Sequence, residues 1–139
     1  MNDETKAKLV IVGEILFILL PLLIVNIFLV FKEKSVEIFI KSDWTFAAII
    51  FFGQCIVKLI SGLIKSEKKF RWQNVGLIIA SLIVVGLIPA TVILVLLLMS
   101  TQITLKLIVC QLIWFVLSIV TYYYLGTIGQ MYLDKQGKD

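Results

Sequence analysis

Long oily runs alternate with short polar breaks along this chain. The runs cover residues 9–31, 44–64, 75–99 and about 105–128. Each reaches the ~20 residues that a helix needs to cross the hydrocarbon of a bilayer. Apolar residues fill these runs continuously and do not alternate, which predicts helices and not the strands of a barrel. The breaks span 32–43, 65–74 and 100–104. Connections this short make consecutive helices antiparallel neighbours. None of them could house a second domain. The expected fold is therefore all-α and polytopic: one domain over 1–139, with four antiparallel transmembrane helices. Within the first break, Ser35-Val-Glu-Ile-Phe-Ile-Lys41 alternates apolar and polar residues. It is expected to lie along the membrane surface as an extended or helical turn.

Composition agrees with lipid as the solvent. Hydrophobic residues make up 60% and charged residues 16%, against roughly 45–50% and ~25% in soluble domains. Lys6 and Lys8 ahead of an apolar stretch resemble the start of a signal peptide. The stretch is longer than the roughly 7–15 residues of a signal core, and no small-x-small cleavage site follows, so a retained first helix is expected.

The formal net charge is +4. Its lysines and arginine lie mostly between the runs, where they act as topology signals and headgroup contacts and not as a nucleic-acid surface. One side carries Lys6, Lys8, Lys65, Lys68, Lys69, Arg71, Lys135 and Lys138; the other carries Lys32, Lys34, Lys41 and Lys106. That bias places both termini and the basic middle loop on the cytoplasmic side of a bacterial inner membrane. Trp44 and Trp72 then fall at opposite interfaces, where indole rings settle.

Candidate chemistry is sparse. The chain has no histidine, and Cys55 and Cys110 sit inside apolar runs, where cysteine is ordinarily inert packing. There is no cysteine pair, Gly-rich phosphate loop or Ser nucleophile with a base. A non-enzymatic protein without metal or cofactor is the expectation.

Ionisable groups inside spans are costly and mark candidate sites. Glu14 and Lys58 stand out. Both fall roughly 8–9 Å below the cytoplasmic boundary at 1.5 Å per residue. Their helices are expected to be antiparallel neighbours, so an intramembrane ion pair is predicted. Gln54, Lys58, Ser61 and Lys65 recur at intervals of four and three and form a polar stripe, extended outward by Ala47. The stripe suits a packed helix face better than a water-filled lining. Gly76 and Ala80 have the small-xxx-small spacing of close helix contacts. Gly86, together with Pro89, marks a kink in the third helix. Pro21 and Asn26 should act similarly in the first. Gln111, Trp114, Ser118 and Tyr122 share a face of the fourth, as an interhelical seam would.

Two resemblances attach to these features. Four helices with an acidic residue in the first resemble the small multidrug resistance transporters, and Glu14 would then take the proton and cationic drugs. Lys58 as a neutralising partner and the clear charge bias depart from that pattern. The segment Ser42-Asp-Trp-Thr-Phe-Ala-Ala-Ile-Ile-Phe-Phe-Gly-Gln-Cys-Ile-Val-Lys58, followed by Leu-Ile-Ser-Gly62, is similar to segments of small four-helix inner-membrane proteins of bacterial phage-defence modules, such as the Kiwa membrane subunit and the RexB type. That resemblance implies a homo-oligomeric membrane component that senses disturbance or alters permeability. It also implies a soluble cytoplasmic partner, facing the basic loop Lys65, Lys68, Lys69 and Arg71. A membrane toxin-immunity protein fits the same pattern of spans. With the orientation given by the charge bias, an impermeant thiol reagent should label cysteines placed at positions 2, 68 and 138 only from the cytoplasmic side. Labelling of position 68 and the termini from different sides would overturn the topology.

Overall fold

Lipid offers no hydrogen bonds, so a spanning backbone must satisfy its own N–H and C=O groups. The computed structural model meets this demand with helix throughout. It describes residues 3–32, 37–65, 72–100 and 102–134. The elements are α1 (Asp3–Phe31), a single turn α2 (Glu37–Ile40), α3 (Asp43–Lys65), α4 (Trp72–Ser81), α5 (Ile88–Met99), α6 (Leu105–Thr121) and α7 (Thr127–Asp134). A π-helical turn, Leu82–Leu87, joins α4 to α5, and another, Tyr122–Gly126, joins α6 to α7. Four helical spans result: Asp3–Phe31, Asp43–Ile64, Asn74–Met99 and Leu105–Asp134. Among the described residues there is no strand. The fourth span runs beyond Ile128, where the apolar pattern weakens, to Asp134.

α3 is the central helix. It packs along α6 and α7 on one side and against α5 and the first π turn on another. α1 leans chiefly on α7 and the second π turn, with fewer contacts to α3. The first helix is thus a closer neighbour of the fourth span than of the second, a difference from the sequential order that short loops suggest. Ala7, Ile11 and Leu29 are its buried apolar residues.

The core forms where α3 meets the fourth span. Phe51, Phe52, Cys55, Ile11, Phe115 and Tyr122 are buried there. The Trp44 ring meets Phe115 edge-on, with centroids 5.0 Å apart, and Phe51 lies 5.6 Å from Tyr122. Most other large apolar side chains point outward, including Phe17, Phe28, Leu77, Leu98 and Leu105. In water such a surface would aggregate; in a bilayer it meets its solvent.

Proline and glycine positions explain the local geometry. Pro89 has no N–H, and its ring crowds the carbonyl one turn earlier. The wider π turn ahead of it makes room, and the Ile88 N–H donates to the Ile83 carbonyl. The Trp114 indole N–H donates to the Gly86 carbonyl at 3.2 Å, and the Thr91 hydroxyl donates to the Leu87 carbonyl at 2.8 Å. α1 continues unbroken through Pro21.

The small-residue contacts fall elsewhere than the spacing suggests. Gly76 and Ala80 are exposed, and a Cβ at Gly76 would meet nothing within 4 Å. They take no part in packing within the chain, because the third span turns that face to lipid. The close approach is between Gly62 and Gly129, where α3 and α7 touch backbone to backbone. A Cβ on Gly62 would lie 2.5 Å from the Gly129 carbonyl oxygen, and one on Gly129 would lie 2.8 Å from the Lys58 carbonyl oxygen. Gly86 makes room for the Phe52 ring in the same way. Gly129→Leu should force α3 and α7 apart and cost about 2 kcal/mol, read as a lower thermal midpoint in detergent. Gly76→Leu should leave the midpoint unlowered.

Candidate functional site

The Gly62–Gly129 contact sets the distance between α3 and α7, and so decides what Lys58 can reach. Its ammonium lies 2.8 Å from Oε1 of Glu14 on α1. It also donates to Oε1 of Gln130 on α7 at 2.7 Å. The Gln130 amide in turn donates to Oδ1 of Asp134, one turn on, at 2.8 Å. On the other side, the Tyr122 hydroxyl donates to Oε2 of Glu14. The result is one hydrogen-bonded chain, Tyr122–Glu14–Lys58–Gln130–Asp134, across three spans.

Each position follows from local structure. Glu14 lies three residues after Ile11, on the face α1 turns to the bundle. Tyr122 opens the second π turn. The extra residue of that turn re-aims α7, so that Thr127 and Gly129 are buried and Gln130 reaches Lys58. Burial within the pair is uneven: the Lys58 side chain is 11% exposed and that of Glu14 is 39% exposed. The charges cancel. In a medium of low dielectric their attraction is strong, and each group has one further polar contact, Tyr122 on Glu14 and Gln130 on Lys58.

A second polar contact ties α3 to α6 near the start of α3. The Thr45 hydroxyl on α3 donates to Oε1 of Gln111 on α6 at 3.3 Å, and both residues are fully buried. Nearby, the Trp44 indole N–H donates to the Ile38 carbonyl at 2.7 Å and pins α2 to the N-terminal end of α3.

The stripe on α3 is not uniform. Lys58 is largely buried and Ser61 half-buried, but Gln54 is exposed. Gln54 lines an open-sided cavity of about 380 Å³ between α1 and α3, together with Glu14, Phe17 and Tyr122. Among the described residues, Gln54 makes no hydrogen bond to a neighbouring helix. Pro21 lines a further cavity of about 270 Å³ between α1 and the first half of α3. The Lys65 side chain and Lys68, Lys69 and Arg71 lie outside the described residues. Cys55 is buried, whereas Cys110 is exposed on the outer surface of α6.

Two members of the chain, Gln130 and Asp134, escape a reading that ends the fourth span at Ile128. The signal was present: Met131, Tyr132 and Leu133 continue the apolar helix, and Gln130 and Asp134 stand at i, i+4 on one face. Among the described residues no group of three or more His, Cys, Asp or Glu gathers to hold a metal ion.

Comparison with family models, with curated proteins and with solved structures finds no match for the chain.

The arrangement has two chemical capacities. It locks α1 to the second and fourth spans through a charge-neutral clasp. It also leaves one face of a carboxylate open to a lateral cavity. Lys58→Met would leave the Glu14 charge without its counter-ion and should cost about 3 kcal/mol. Glu14→Gln combined with Lys58→Met should recover most of that loss. Unfolding of the single and double variants in lipid or detergent gives the coupling. Strictly additive costs would show that the two groups do not act as a pair.

Proposed function

We propose that the chain is a non-enzymatic subunit of a bacterial defence or stress module. It would sit in the inner membrane, sense disturbance of the bilayer or alter its permeability, and work as an oligomer with a soluble cytoplasmic partner. The observation that carries this reading is how α1 is attached. Its inner half is clasped by Lys58 and Tyr122. Its outer half is separated from α3 by the cavity along Pro21, Val25 and Phe46. A helix held at one end by an ion pair responds to its solvent. In intact hydrocarbon the pair is strong. Thinning or disorder of the lipid would admit water to Glu14, raise the local dielectric and weaken the attraction. α1 could then move against the fourth span, whose end at Asp134 adjoins the cytoplasmic tail. The basic loop around Lys68 would present that change to a partner protein or to anionic lipid.

A second reading draws on the lateral cavity. A carboxylate flanked by Phe17 and Tyr122 suits an amphipathic cation, as in a small proton-coupled multidrug transporter. Lys58 at 2.8 Å already neutralises that carboxylate, which favours the first reading.

In the native host, deletion of the gene should abolish protection against phage, and the wild-type chain should restore it. Lys58→Met should release the clasp and raise propidium uptake in uninfected cells. Full phage protection without the gene, or with a clasp-less chain of normal permeability, would refute the proposal. Efflux of a lipophilic cation that stops in Glu14→Gln would favour the transporter instead.

A further inference from the structure

Gln54 stands halfway along the second span, between Asp43 and Ile64. At 1.5 Å per residue it is ~16 Å from either end of the helix. Its side chain is exposed, and among the described residues nothing hydrogen-bonds its amide. A glutamine is too short to reach either headgroup layer from that depth, unlike a lysine near a helix end. Hydrocarbon offers the amide nothing, and an unmet amide there is costly. The adjacent Glu14 carboxylate is also 39% exposed on this side. The seam between α1 and α3 is therefore incomplete as it stands.

We infer that a second copy of this chain covers the seam, with the two Gln54 amides hydrogen-bonded to each other across a two-fold axis. The amide decides the occupant. It carries both donors and an acceptor, so it is complementary to itself. That is what a symmetric interface requires of a residue near its axis. An acyl chain would leave the amide unmet. The surface is also shaped for a neighbouring helix. Gly13 and Gly53 flank Gln54, and a Cβ on either would meet nothing within 4 Å. Small residues of this kind let helix backbones approach closely in lipid. The two cavities of the seam, about 380 and 270 Å³, both border Ile18 and follow one another along α1. Around it, Val10, Phe17, Ile50 and Val57 supply exposed apolar contact. Polar groups as interhelical glue, ringed by small and apolar residues, are the usual composition of a contact within the membrane.

This inference deepens the oligomeric part of the proposed function by naming the face and the residue at its centre. Its test reads no phage phenotype, so the two fail separately.

The test is site-directed crosslinking of the full-length chain in native membranes, in a Cys110→Ser background. Gln54→Cys should give a disulfide-linked dimer on mild oxidation. Val116→Cys on α6 and Leu77→Cys on α4 should not. In a second arm, fluorescence transfer between labelled copies in liposomes measures association. Gln54→Leu should weaken it at least tenfold, whereas Gln54→Asn, which keeps the amide, should retain most of it. Gln54→Leu swaps a lipid-facing amide for an apolar side chain, so the fold itself should survive, with an unchanged thermal midpoint in detergent. Dimers linked through Leu77 and not through position 54 would overturn the assignment in favour of the Gly76–Ala80 face. A chain that stays monomeric in liposomes would overturn it outright, as would Gln54→Leu associating like the wild type.

Discussion

A carboxylate and an ammonium placed below the membrane surface impose a geometry on everything around them. Neither can be left alone in hydrocarbon, and both must be at one depth to meet. Glu14 comes from the first span and Lys58 from the second, yet the first span leans mainly on the fourth. The pair therefore forms at a three-helix junction and not between two neighbours. Tyr122 and Gln130, both from the fourth span, each add one hydrogen bond to the pair: the Tyr122 hydroxyl donates to Glu14, and the Gln130 amide oxygen accepts from Lys58. Fixing the pair fixes the axial register of three helices together.

That register needs two adjustments of the backbone. α3 and α7 must come close enough for Lys58 to reach Gln130, and Gly62 opposite Gly129 removes the side chains that would hold them apart. The fourth span must also present Tyr122 to α1 and Gly129 to α3. A regular α-helix advances too evenly to do both, and the π turn at Tyr122–Gly126 supplies the extra rotation. The other π turn accommodates Pro89, and its carbonyls find side-chain donors on α5 and α6. Irregular backbone inside the membrane is tolerated where side chains meet the freed groups, as Trp114, Thr91 and Thr127 do for the Gly86, Leu87 and Tyr123 carbonyls.

The spans were legible because each is long and apolar throughout, and no packing detail can override that. Glu14 and Lys58 were legible as exceptions within such runs, and counting residues from the boundary put them at one depth. Which helices touch was harder to read. Loop length made the first span a neighbour of the second, but loops constrain ends and not faces. Gly76 and Ala80 have the spacing of a helix contact and face outward, while Gly62 and Gly129, on α3 and α7 with α4, α5 and α6 between them in sequence, make one. A spacing rule sees one helix at a time; a crossing needs a gap on both. Gln130 and Asp134 were hidden by ending the last span where hydropathy falls, although the helix outlasts the hydrocarbon. The turn at Tyr122–Gly126 has no marker of its own among three consecutive tyrosines.

Polar groups at two depths of one seam have opposite consequences for the lone chain. Lys58 and Glu14 satisfy each other and hold α1 in place. Gln54, about one turn further into the bilayer, finds no hydrogen-bond partner among the described residues. A second copy over Gln54 would also shield Glu14, since both line the same cavity. Excluding lipid disorder and water from that cavity strengthens the ion pair, because attraction rises as the dielectric falls. Association and the closed position of α1 would then stabilise each other, and linkage makes the effect reciprocal. Whatever loosened the clasp would then weaken the proposed pairing of chains by the same coupling free energy. Under the proposed function, a disturbance too small to break either contact alone would then shift both, which is how a chain with so little polar chemistry would respond to its membrane.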